Sequence, residues 1–286
     1  MNHDIKITYT PKGVSVEGIR GHFLTARLMW RELVSAKELI WRLFLRDFSA
    51  KYRQTALGVV WAIVMPLITV GMFIGMNRSG ILNIQNVGIP YPLYAIIGLT
   101  IWNFFTVGLT ACSDSLVNAG SMIVKINFPK VALVFAASGQ GIVEFLIRTV
   151  LIALTFFYYG IAPNWGGLFI GFVCLIPIYL IMVGMGFVLS LATGVIRDIV
   201  HILNIALLGV MLLTPILYPI TGDNLLTFAN IWNPFNYLVN VPRDFIIKGD
   251  AELLNEYVFT IIFSVVLFYA GWRLFYLAQT KIAERI

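Results

Sequence analysis

Few residues in this chain combine a type and a spacing that could do chemistry. No G-x-x-x-x-G-K-[ST] loop is present to cradle a nucleotide phosphate, and His3, His22 and His201 are scattered rather than set beside a nucleophile or an acid. Cys112 and Cys174 sit inside apolar runs, with no paired spacing and no nearby histidine cluster, and read as buried free thiols. Chemistry is therefore confined to polar groups embedded in apolar sequence. Asn103, Thr106, Thr110 and Ser113 recur at intervals of 3, 4 and 3 residues, which places them on one helical stripe with Asp114 beside it. In hydrocarbon such a stripe either lines a wet path or hydrogen-bonds one helix to another, and spacing alone does not choose. Glu144 and Arg148 stand four apart and can pair on one face. A lone charge there costs about 2.5–3.5 kcal/mol, so the pair reads as bracing rather than as a substrate contact.

The elements that position these residues follow from composition. With 59% hydrophobic residues, 12% charged residues and a mean hydropathy of +0.86 over 286 residues, the chain is an integral membrane protein without room for a sizeable soluble domain. The first fifty residues are polar and charged rather than built around an early apolar core, so the first span is expected to direct insertion itself. A span needs about 20 mostly apolar residues, and six are expected: Thr55 to Met76, Tyr94 to Val117, Val131 to Tyr159, Leu168 to Gly194, Ile199 to Tyr218, and a short one from Tyr257 to Trp272. APNWGG (Ala162 to Gly167) breaks the uncharged run that separates the third from the fourth. Gly71/Gly75 and Gly167/Gly171 have the spacing that lets helices approach closely, the first pair as a dimer contact.

Wound at 100° per residue, Glu32 to Arg53 gathers Glu38, Arg42, Arg46, Ser49 and Arg53 on one face, with Ile40, Trp41, Phe44, Phe48 and Tyr52 opposite. That is an amphipathic helix suited to the membrane interface. Of the 20 basic residues, all but Arg78, Arg148, Arg243 and Lys248 fall on one side of the six-span arrangement, so both termini are expected in the cytoplasm. The net charge of +6 then follows from topology and anionic headgroups and is no sign of nucleic acid. The fold expected is an all-α integral membrane protein: a cytoplasmic segment over residues 1–31, an amphipathic interface helix over 32–53, and a transmembrane domain over 54–286.

RDFSAKYRQTALGVVWAIVMPLI (Arg46 to Ile68) resembles the start of the membrane domain in type-2 ABC exporters of polysaccharide such as O-antigen, capsule or teichoic acid. NFPK (Asn127 to Lys130), TPILYP (Thr214 to Pro219) and NPFNYLVNVPRDFI (Asn233 to Ile246) follow that family's order from about Glu38 onward, whereas residues 1 to about 30 match nothing recognised. The resemblance implies a permease that is not an enzyme. Two copies would work with a separate cytoplasmic ATPase subunit that binds ATP and Mg, moving lipid-linked polysaccharide across a bacterial inner membrane, with no cofactor in this chain. It assigns ATPase coupling to the interface helix through Glu38, Arg42 and Arg46, and to the following loop through Lys125, Asn127, Phe128, Pro129 and Lys130. It also implies short re-entrant helices before the last span, where Trp232, Phe235 and Tyr237 would stack on sugar rings, although membrane-interface belts use the same residues. Lys51 and Arg53 would attract a lipid pyrophosphate, or serve only as topology signals. The competing readings are a teichoic acid or capsule exporter, a drug or lipid efflux permease, and a membrane-embedded glycosyl or acyl transferase. The last would need a carboxylate or histidine cluster that the sequence lacks.

Overall fold

The computed structural model describes residues 6–10, 13–17, 22–53, 60–80, 88–126, 128–219 and 225–282. The segment over residues 1–31, read only as cytoplasmic within an all-α fold, holds an antiparallel hairpin of β1 (Lys6–Thr10) and β2 (Gly13–Glu17), with Lys6 opposite Glu17. A helix α1 (His22–Ser35) follows and packs against the C-terminal helix. The helix expected from Glu32 onward is in fact two. Ser35 Oγ turns back to donate to the Glu32 carbonyl at 2.8 Å, and a turn at the buried Ala36 separates α1 from α2 (Lys37–Arg53).

On α1, Thr25 and Met29 are buried whereas Trp30, Arg31 and Val34 face outward. Glu32 lies toward the buried side, and desolvation pushes its carboxyl up to about 7. A carboxyl raised in the folded state contributes stability that is complete below the ordinary carboxylate range and is lost as pH rises through about 7. The α1 amides should therefore exchange hydrogen faster against α12 at about pH 8 than at about pH 5 once intrinsic rates are divided out, and Glu32→Gln should flatten that difference.

The rest of the described chain is helical: α3 (Val60–Arg78), α4 (Tyr91–Asn118), α5 (Gly120–Lys125), α6 (Val131–Tyr159), α7 (Trp165–Val173), α8 (Ile176–Val195), α9 (Ile199–Leu213), α10 (Leu225–Ile231), α11 (Pro234–Lys248) and α12 (Leu254–Ile282). By length and composition, α4, α6, the α7–α8 pair and α12 can each cross a membrane, while the apolar stretches Ile63–Met76 and Ile199–Leu213 are shorter. This is a multi-pass membrane protein.

Three expected boundaries move, each for a local reason. The fourth span breaks at Cys174–Leu175, because Pro177 has no amide hydrogen and its ring crowds the Val173 carbonyl four residues back. The fifth stops at Leu213, because Pro215 pushes Thr214 into extended backbone at ψ 138°. The sixth is a long helix rather than a short one, since Arg273 near its end can snorkel without ending it. Residues 54–59, where the first span was expected to begin, lie outside the described residues.

At the centre α4 packs on α6 and α8, and α8 on α12. The α8–α12 crossing is a backbone contact: a Cβ on Gly271 would overlap the Gly184 carbonyl, and Phe187, Phe268, Trp272 and Phe275 interlock beside it. Gly167 and Gly171 seat α7 on α11, where side chains would strike the Phe245 and Pro242 carbonyls, so the packing read from their spacing is present. Gly71 and Gly75 meet nothing within 4 Å. Both thiols are buried, as read.

Candidate functional site

The polar stripe of α4 meets a cavity at one height and a neighbouring helix at another. Midway along the helix, Trp102, Asn103 and Thr106 face an open cavity of about 350 Å³ that is also lined by Thr69 of α3, Asn204 of α9 and Arg148 of α6. Its remaining wall is apolar, with Met65, Leu207 and Met211 among the lining residues. Asn103 Nδ2 donates to the Leu99 carbonyl at 2.7 Å, which anchors the amide while its oxygen stays able to accept. Two turns further on the stripe leaves the cavity. Thr110 is half-buried, and Ser113 is buried with its hydroxyl 2.8 Å from Thr193 Oγ1 on α8, tying two helices together. Glu144 and Arg148 are paired as expected. Both Nε and Nη2 of the arginine reach Glu144 Oε1, at 2.9 and 2.8 Å, and each side chain is only 7% exposed.

A second assembly forms where α2 and α5 meet. The aromatic face read on α2 is divided: Phe44 lies against Gly139 of α6, beside the buried Leu43 that the reading did not include, while Trp41 is 59% exposed. On the charged face Glu38 and Arg42 pair at 2.6 Å with 74% of each side chain exposed, a pair worth little in stability and open to a partner. Arg46 holds Asp47 at 2.8 Å and extends Nη1 to within 3.6 Å of Met122 Sδ on α5. The two segments assigned to coupling therefore adjoin. Lys125 is exposed at the end of α5, and Phe128 and Pro129 are half-buried. Lys130 is occupied elsewhere: its ammonium donates to the Gln279 carbonyl of α12 at 2.8 Å, and burial lowers its pKa. Lys51 and Arg53 fall in the last turn of α2, and Asn127 lies outside the described residues.

The aromatic trio does not form one platform. Trp232 is 78% exposed, Phe235 packs against Trp102 and Phe105 at centroid distances of 5.6 and 4.7 Å, and Tyr237 is buried with its hydroxyl donating to the Ile231 carbonyl at 2.7 Å. Sequence reasoning missed the residue at the centre of this region. Arg243, counted only as one of the few basic residues on the far side, is 2% exposed. It donates to the Ile216 carbonyl at 3.0 Å, the Tyr94 hydroxyl at 2.7 Å and the Asn240 side-chain oxygen. A signal was present, because Asn233, Asn236, Asn240 and Arg243 share the spacing that singled out the stripe on α4.

Comparison with known proteins places these features in one lineage. The O-antigen export system permease protein RfbA of Myxococcus xanthus is 24% identical over 266 residues, covering 90% of this chain and 98% of that protein. A permease of the same name from Klebsiella pneumoniae is 23% identical over 250 residues, covering 84% of this chain and 91% of its own. The model of the ABC-2 type transporter family matches residues 38–246, from the first turn of α2 through α11, and so takes in the adjoining α2 and α5, the cavity and the Arg243 cluster. The chain thus belongs to the ABC-2 type transporter family, as a membrane subunit.

Proposed function

We propose that this chain is the channel-forming subunit of an ATP-driven exporter of lipid-linked polysaccharide, with O-antigen as its cargo. The observation that carries this reading is the cavity lined by Asn103, Thr106 and Asn204, amides and hydroxyls held midway through apolar helices in a relative of permeases named for O-antigen export. Such groups offer hydrogen bonds to a hydroxyl-dense polymer, and the apolar wall beside them can meet its ring faces. Two copies would bring their cavities to a shared path, with the open face of Gly71 and Gly75 on α3 as the contact between them. In this arrangement six spans cross a bacterial cytoplasmic membrane and both termini stay inside. The α2–α5 surface receives the stroke of a separate ATPase that holds ATP and Mg, with α2 lying along the interface as the lever. α10 and α11 form the re-entrant pair at the outer side, and Lys51 and Arg53 meet the anionic headgroup of the carrier lipid.

The test is biochemical. Purified alone, the chain should hydrolyse no ATP above background. Reconstituted with its ATPase subunit, the complex should hydrolyse ATP faster when a polyprenyl-pyrophosphate-linked glycan is supplied. Turnover by the isolated chain, or a complex that no lipid-linked glycan stimulates, would refute the proposal.

A further inference from the structure

Resting on that reading, we infer that the polymer this subunit passes is built of uncharged sugars, and that the channel wall selects against polymers with an acid or phosphate in each repeat. The inference comes from the electrostatics of the cavity. Its polar side chains are neutral amides and hydroxyls, with the indole of Trp102 beside them. Among the described lining residues Arg148 alone carries a formal charge, and Glu144 already holds it through two of its guanidinium nitrogens. Beyond the cavity, α3 carries no charged residue between Val60 and Asn77, and the titratable groups on α9 and the far end of the α4 stripe are His201 and Asp114, which lie close enough to interact with each other. A second copy of the chain adds the same faces.

Anion-conducting pores line their path with Lys or Arg rings, because each anion that leaves water needs replacement charge. Here an acidic repeat would enter low-dielectric surroundings where, among the described lining residues, the one cation is already paired with Glu144, and that cost recurs with every repeat that follows. A neutral sugar exchanges its water hydrogen bonds for those of Asn103, Thr106 and Asn204, and lays its apolar ring face against Trp102 and the aliphatic wall. The pyrophosphate of the carrier is a different matter. It is one group per chain, held among headgroups beside the basic α2, whereas repeat charges must pass midway through the helices.

The experiment uses the complex of this chain with its ATPase in liposomes and three glycans on one polyprenyl-pyrophosphate carrier: a neutral hexose oligomer, the same oligomer with a uronic acid in each repeat, and a glycerol phosphate oligomer. Stimulation of ATP hydrolysis should half-saturate at least about tenfold lower for the neutral glycan than for either acidic one, a difference of about 1.4 kcal/mol. Asn204→Lys adds a cation at an exposed position on the cavity rim and should narrow that ratio at least about threefold, mainly by improving the acidic glycans. Acidic glycans that match or exceed the neutral one would overturn the inference while leaving the export reading intact. A ratio unmoved by Asn204→Lys would show that the selectivity is not set at this wall, and would overturn it as well. Stimulation by none of the three would remove the export reading together with the inference.

Discussion

Replacing Arg243 by methionine is expected to cost about 3 kcal/mol or more of stability and to release the segment after α9 from the bundle. The side chain is buried, and its partners are carbonyls, an amide and a phenol rather than a carboxylate. Its guanidinium lies 3.7 Å from the Tyr94 ring centroid, so a cation–π contact replaces part of the lost hydration. Those partners belong to three places in the chain: Pro215 and Ile216 after α9, Tyr94 on α4, and Asn240 on α11. Removing the arginine strands several buried acceptors at once, each worth about 1–3 kcal/mol when left unmade. Lysine should not rescue, because one ammonium cannot span a set of acceptors that a planar fork reaches in two directions. Gly98→Ala should reproduce the defect in milder form, since a Cβ there would lie 2.5 Å from the Ile216 carbonyl oxygen and 2.9 Å from Arg243 Nη1. The measurement is thermal unfolding of the detergent-purified chain together with protease resistance of residues 214–219. A methionine variant within about 1 kcal/mol of wild type would show that the cluster is loosely coupled to the fold.

How much of this could be read beforehand depends on whether the cause is local. The third span was legible to the residue, since Pro129 precedes α6 and Gly160, at φ 63°, ends it: both are signals carried by single residues. The last span was cut short by treating Arg273 as a boundary, when only the position of the hydrocarbon decides whether a charge near a helix end can be accommodated. α1 was missed because it packs on α12, contributed by a stretch of chain more than two hundred residues away. For Asn103 to Ser113 the period was right and the outcome undecidable, because α8 lies against one end of the stripe and an open cavity against the other. Trp232, Phe235 and Tyr237 are close in sequence only. Once α11 starts at Pro234, Phe235 and Tyr237 point about 200° apart around it, one toward Trp102 and the other toward the Ile231 carbonyl.

The Glu144–Arg148 pair admits a sharper test than either residue alone, because its two single variants should not be equivalent. Glu144→Gln leaves a guanidinium in the middle of an apolar helix without its carboxylate, and a guanidinium cannot become neutral by losing a proton. The expected loss is about 3–5 kcal/mol, the range for breaking one side of a buried pair. Arg148→Met leaves a carboxyl group, which unlike a guanidinium has a neutral form open to it, so its loss should be smaller by about 1 kcal/mol or more. The double variant Glu144→Gln with Arg148→Met removes both charges together, so it should lose less stability than Glu144→Gln alone, in which the guanidinium stays buried without its carboxylate. Unfolding measurements on the four proteins then give a coupling energy, which should be at least about 2 kcal/mol for side chains this close and this buried. If the pair only braces α6 beside the cavity, the double variant should fold and still respond to lipid-linked glycan in the assembled complex. A double variant that folds as well as wild type yet has lost that response would mean that Arg148 acts from the cavity wall on the polymer itself, with Glu144 holding the guanidinium in place for it.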